Sequence, residues 1–82
     1  MTDEELRVLV LRVLEEAAAG VDLTGLDPMA DFSEQIDIDS MDQLNFVVGL
    51  HEETGVDIPE RDYPKMSSLD ACVAYLRTAM AG

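Results

Sequence analysis

Asp37-Ile38-Asp39-Ser40-Met41-Asp42-Gln43-Leu44-Asn45-Phe46-Val47-Val48-Gly49-Leu50-His51-Glu52-Glu53-Thr54-Gly55 is the stretch of this 82-residue chain on which the fold turns. Met41, Leu44, Phe46, Val47, Val48 and Leu50 recur at helix spacing, and Gly55 supplies the residue type that most readily ends a helix. At 100° per residue the apolar positions cover more than half of the helix circumference, while Asp42, Asn45, Gly49, Glu52 and Glu53 share the remaining polar strip. An arc that broad predicts neighbours on several sides, and therefore the central helix of the fold.

On the N-terminal side, Thr2 and Glu5 have capping-box spacing, and Leu6, Leu9, Val10, Val13, Leu14 and Ala17 follow at helix period. This predicts a first helix over Asp3–Ala19, stopped by Gly20. Residues 21–39 are a long connection punctuated by Gly25, Asp27, Pro28 and Ser33. A connection of that length should be pinned by its apolar residues, Val21, Leu23, Leu26, Phe32, Ile36 and Ile38, or be functional, with a short helical turn after Pro28. On the C-terminal side, Val56-Asp57-Ile58-Pro59 reads as an extended connector, and residues 60–66 as one short helical turn limited by Pro64. Ser67 and Asp70 form another capping box before a last helix with Leu69, Cys72, Val73, Leu76 and Met80 as its apolar stripe. No segment alternates strictly enough for a strand, and no internal repeat is present. The expectation is an all-α chain: a small four-helix bundle of three main helices and one short one, as one domain over residues 1–82.

Eighteen acidic against 5 basic residues give a formal charge of −13, yet 48% of the chain is hydrophobic, so it folds rather than remaining disordered. That balance opposes nucleic-acid binding, which needs clustered Lys and Arg, and opposes docking on anionic membranes. One Cys and one His supply neither a disulfide framework nor an ordinary zinc site. No apolar run approaches the roughly 20 residues of a membrane span. Met1 to Glu5 lack a basic-then-apolar signal pattern, so the expected setting is cytoplasmic, and the charge makes a monomer the default.

Several catalytic or metal readings fail on spacing. Asp37-x-Asp39 opens like a calcium loop, but Met41, Asp42 and Val48 stand where a ligand, the turn glycine and the closing Glu are required. Ser40 and His51 lie about 16 Å apart along one helix, too far to form a nucleophile–base pair. The chain therefore reads as a non-enzyme. His51 is expected as a polar residue near a helix C-terminus, and Cys72 as a small core residue. Ser40 carries the alternatives. Ser40 to Gln43 fits a capping box, and on that pattern alone a plain N-cap is the better reading. Asp39 with Asp42 caps equally well, which would leave the Ser40 hydroxyl pointing outward at the positive end of the helix dipole, where a phosphate is favoured.

Asp37-Ile38-Asp39-Ser40-Met41 resembles the Gly-x-Asp-Ser-Leu motif of the acyl carrier protein family. The likeness continues through the helix to Gly55, through Val56-Asp57-Ile58-Pro59, and on to Ser67-Ser68-Leu69, covering nearly the whole chain. The resemblance implies that Ser40 receives 4′-phosphopantetheine from coenzyme A through a phosphopantetheinyl transferase, with Asp39 as part of the motif. The arm would then carry acyl groups as thioesters to acyl-activating, acyltransferase or ketosynthase enzymes with basic docking patches. It further implies Met41, Asp42, Leu44, Val48, Glu52 and Glu53 as partner contacts, with Asp57 adding charge beyond them. For Met41, Leu44 and Val48 the competing reading is core packing, at least as strong for Leu44. A soft core lined by Phe46, Val47, Met66 and Leu69 would open to shelter cargo. The chain departs from the pattern at Asp37, where the motif has glycine, at Met41, where it has leucine, and at Asn45 and His51, which are often acidic in fatty-acid members. Asp39 favours the acyl type over peptidyl carriers. The Ser-Met pair is similar to that of D-alanyl carriers, so an aminoacyl carrier is one alternative, and an acidic helical adaptor that is never modified is the other.

Overall fold

Thr2 opens the first helix with the expected reciprocal pair: its hydroxyl accepts from the Glu5 N–H at 3.1 Å, and the Glu5 carboxylate accepts from the Thr2 N–H at 2.8 Å. In a computed structural model that describes residues 1–81, the elements are α1 (Asp3–Ala17), α2 (Phe32–Gln35), α3 (Ser40–Thr54), a 3-10 helix (Glu60–Met66) and α4 (Leu69–Ala81). Every regular element among the described residues is helical, so the chain is a small all-α bundle. α1 ends at Ala17, two residues before the expected end, because Ala18 leaves helical geometry while its N–H still reaches the Leu14 carbonyl. The short helix of the long connection forms at Phe32–Gln35.

The core is built from Leu6, Val10 and Leu14 of α1, Phe46 and Leu50 of α3, and Leu69, Cys72 and Leu76 of α4, all buried. The central element is α1, which packs on both α3 and α4. The expectation that α3 would be central fails because its broad apolar arc is split. Phe46, Val47 and Leu50 face inward, while Met41, Leu44 and Val48 remain 63%, 46% and 45% exposed.

Gly49 explains how closely α1 and α3 approach. A Cβ at this position would lie 2.6 Å from Val13 Cγ1, far inside contact distance, and a β-branched valine has little rotamer freedom to yield. Gly49→Val should therefore lower stability by about 2 kcal/mol, the scale of core overpacking, read as a shifted urea midpoint at constant slope. An unchanged midpoint would mean that the two helices part without cost.

The long connection is fastened at both ends of its irregular part. The Gln35 side chain accepts from the Asp27 N–H at 2.6 Å and donates to the carbonyls of Asp27 and Ala30 at 2.8 and 3.1 Å. Phe32 N–H donates to the Ser67 carbonyl at 2.7 Å, and Asp70 N–H to the Pro28 carbonyl at 2.9 Å, tying residues 28–32 to the start of α4. The Phe32 ring meets Phe46 edge-on, with centroids 5.8 Å apart and planes at 79°.

That tie shifts the cap of α4 by one residue. Ser68, not Ser67, caps the helix, its hydroxyl accepting from the Ala71 N–H at 3.1 Å. Ser67 ends the 3-10 helix with φ −79 and ψ −14, which is helical backbone unsuited to an N-cap, and the Asp70 N–H already serves Pro28. The segment before it forms a longer 3-10 helix than the single turn expected, with Pro64 inside it. Tyr75 donates its hydroxyl to Asp62 at 2.7 Å, which holds the segment against α4 and keeps the Asp62 carboxyl below its ordinary range.

Candidate functional site

Ser40 is the first residue of α3, and Asp39 is its N-cap. The Asp39 carboxylate accepts from the Asp42 N–H at 2.9 Å, and the Asp42 carboxylate accepts from the Asp39 N–H at 3.4 Å. Of the two capping boxes that the sequence allows, the acidic one forms. Ser40 is exposed, and no hydrogen bond among the described residues involves its hydroxyl. The first-turn N–H groups beside it have no intrahelical carbonyl to meet, and they give this end of the helix its partial positive charge. The hydroxyl is thus presented to solvent by a helix whose anchoring does not depend on it.

Beneath Ser40 lies a cavity of about 300 Å³ lined by Phe32, Ser33, Ile38, Asp39, Gln43, Phe46, Val47, Tyr63, Met66 and Ser67. Three of the four residues expected around a cargo space, Phe46, Val47 and Met66, are on its wall; Leu69 is buried in the core but does not line it. The cavity lining combines apolar side chains with hydroxyl, amide and carboxylate groups. An exposed alcohol at a helix start, with a partly apolar space opening beside it, leaves room for a group attached at that oxygen.

The other sequence-predicted residues fall into two groups. Met41, Leu44, Val48 and Glu52 lie on the outward side of α3 and are exposed, so the core-packing reading of Met41, Leu44 and Val48 does not hold. Asp42 is half-buried within the capping box. Glu53 leans toward α1, where Arg12 meets it at 3.0 Å and also reaches Glu16 at 3.5 Å, so part of its charge is offset within the chain. Glu53 and Glu16 together keep the Arg12 guanidinium above its ordinary range. His51 serves the end of α3: its Nδ1 lies 2.9 Å from the Val56 carbonyl and 3.4 Å from the exposed Asp57 carboxylate. The helix stops at Gly55, whose φ of 73 is the left-handed conformation its side chain-free backbone adopts readily. Ser40 and His51 remain at opposite ends of one helix, and no nucleophile–base pair forms.

Cys72 is buried against the core, its thiol donating to the Met66 carbonyl at 3.3 Å, and burial pushes its pKa up to about 12. The side chain is a neutral packing group, as its place in the last helical stripe suggested.

Sequence reasoning missed three contributors. Gln35 fastens the connection that carries Phe32, and an isolated glutamine gives no local signal of that. Tyr63 lines the cavity from the 3-10 helix, which was legible only as a turn. Gly49 falls on the polar strip by period; a mid-helix glycine, costly to a helix on its own, is the available hint of a close approach.

Comparison with known proteins adds an independent line. A family model described as a phosphopantetheine attachment site matches residues 4–76. An acyl carrier protein of Rubrobacter xylanophilus is 30% identical over 70 residues, covering 82% of this chain and 86% of that protein. Acyl carrier protein 2, mitochondrial, of Arabidopsis thaliana is 34% identical over 56 residues, covering 68% of this chain and 44% of that protein. The meromycolate extension acyl carrier protein of Mycobacterium bovis is 27% identical over 77 residues, covering 94% and 66%.

Proposed function

This chain belongs to the acyl carrier protein family, whose cofactor is 4′-phosphopantetheine, and on that premise we propose that Ser40 is the residue esterified by the arm. Members of the family are carriers rather than catalysts, and the arm supplies a terminal thiol that holds a carboxylic acid as a thioester. The observation supporting Ser40 is the division of labour at the start of α3: Asp39 anchors the helix, and the adjacent hydroxyl stays exposed above the cavity.

Among the described residues, nothing near Ser40 activates it. The carboxylates closest in sequence, Asp39 and Asp42, are engaged with backbone N–H groups, and His51 sits at the far end of the helix. A phosphopantetheinyl transferase must therefore supply the base. The Ser40 Oγ–phosphorus bond forms as the pyrophosphate bond of coenzyme A breaks, 3′,5′-ADP leaves, and the serine proton passes to the transferase. The first-turn amides would orient the resulting phosphate, and the cavity beside it would receive the start of the arm or its cargo. The cargo we propose is a carboxylic acid intermediate of fatty-acid, polyketide or related lipid biosynthesis, exchanged with acyl-activating, acyltransferase and condensing enzymes of the cytoplasm. Exposed Met41, Leu44 and Val48 beside Glu52 offer those enzymes a small apolar contact edged with negative charge, which suits brief, salt-sensitive binding. No helix among the described residues is long and apolar enough to cross a membrane.

Incubation with coenzyme A and a broad-specificity phosphopantetheinyl transferase should add one arm by intact mass. The native protein should at the same time gain one rapidly maleimide-reactive thiol, since Cys72 is buried and protonated. An unchanged mass with several such transferases would make the unmodified adaptor the better account.

A further inference from the structure

One hydroxyl on the wall of the cavity under Ser40 has no work inside the chain. Gln35 donates to the carbonyls of Asp27 and Ala30, Thr54 donates to the Leu50 carbonyl, Ser68 accepts from the Ala71 N–H, and Tyr75 donates to Asp62. Each of these hydroxyl or amide side chains is buried or half-buried. Tyr63 is half-buried as well and lines the cavity, yet no hydrogen bond among the described residues involves its hydroxyl. A tyrosine withdrawn from solvent ordinarily finds a partner for that group. Ser33 and Ser67, on the same wall, are also without a partner in the chain, but both are exposed and served by water.

Tyr63 also marks where the cavity ends. Together with Val47 it lines both this space, of about 300 Å³, and the neighbouring groove of about 540 Å³, whose other walls include His51, Asp57 and Arg61. The two side chains are therefore a partition between a partly apolar chamber and a charged surface. An acyl chain long enough to pass them would emerge among those charges, so the chamber suits a short one. A plain hydrocarbon that filled it would expel the water serving the Tyr63 hydroxyl and leave that hydroxyl unpaired, which costs more than a made hydrogen bond contributes. A cargo with an oxygen of its own takes the place of that water.

We propose that the chamber selects a short acyl group bearing a keto or hydroxyl oxygen over a plain hydrocarbon chain, and that Tyr63 is the specificity-determining residue. Its hydroxyl pairs with the cargo oxygen, and its ring closes the far end. The proposal rests on the reading of Ser40 as the tether and adds to it the class of cargo.

The test uses the full chain bearing its arm, loaded with a hexanoyl or a β-ketohexanoyl group through an amide in place of the thioester. The ratio of sheltered to solvent-exposed cargo is read from the amide shifts of Val47 and Met66, and from cross-relaxation between the cargo methyl and the Phe46 ring. The ketone should be sheltered about tenfold more than the hydrocarbon, the scale of one neutral hydrogen bond. Burial of apolar area alone gives the opposite order, because the ketone is the better hydrated of the two. Tyr63→Phe keeps the ring and the partition but removes the hydroxyl, and no preference for the ketone should remain in it. Equal or weaker sheltering of the ketone in the native chain, no sheltering of either cargo, or a preference that survives in Tyr63→Phe would overturn the proposal. Arm attachment, read by intact mass on the native chain and on Ser40→Ala before loading, reports on the Ser40 assignment separately.

Discussion

Ser40→Ala should take phosphopantetheinylation from complete to undetectable while changing stability by less than about 0.5 kcal/mol. Read from sequence, losing this serine would also remove an N-cap at a cost of about 1 kcal/mol. The structure moves that cost to its neighbour, because Asp39 and Asp42 close the capping box and the serine hydroxyl has no part in it. Asp39→Ala should accordingly lose about 1 kcal/mol, within a range of roughly 0.5–2 kcal/mol. Intact mass after transferase treatment and urea midpoints for the two variants provide the check. Modification surviving in Ser40→Ala would place the arm elsewhere, and a Ser40→Ala midpoint as low as that of Asp39→Ala would mean the serine shares the cap.

The second large effect lies at alkaline pH. Burial raises the Cys72 thiol from 9.0 to about 12, so the folded chain holds this proton more tightly than the unfolded one. The corresponding stability is fully present below about pH 9 and is lost as pH rises toward 12, at about 1.4 kcal/mol per unit, or roughly 4 kcal/mol in all. That is a large fraction of what holds a small domain together. Tyr75 acts in the same direction, its hydroxyl raised by the hydrogen bond to Asp62. Asp62 contributes with the opposite sign: its lowered carboxyl stabilises the fold above the ordinary carboxylate range and the benefit disappears as pH falls through its folded value. At pH 10.5 the native chain should have lost about 2 kcal/mol relative to pH 7, and Cys72→Ala, although less stable at pH 7, should show a flatter dependence. Equal slopes in the two proteins would assign the alkaline loss to charge repulsion or Tyr75 instead.

The helices were legible because their signals are local. Thr2 with Glu5, Asp39 with Asp42, and Gly55 each act within one helical turn, and each does what its spacing predicts. What failed depended on contacts between distant segments. Breadth of the apolar arc made α3 look central, but period cannot distinguish an apolar side chain facing the core from one facing water, and Met41, Leu44 and Val48 face water. Ser67 has the sequence pattern of a cap, but the Pro28 carbonyl, distant in the chain, already occupies the Asp70 N–H. The position of the candidate site was readable from the Asp39-Ser40 pair, whereas the cavity below it was only partly so. Phe46, Val47 and Met66 follow from apolar pattern, but Phe32, Ser33 and Tyr63 arrive through a connection and a 3-10 helix whose paths no short-range rule specifies.

The two ties between residues 28–32 and the head of α4 join main-chain atoms at both ends. Amide and carbonyl groups are common to nearly every amino acid, so the route of this segment is indifferent to which side chains it bears at Met29, Ala30 or Ser33. The chamber wall at Ser33 can consequently be re-contoured by substitution while the segment that carries it stays in place.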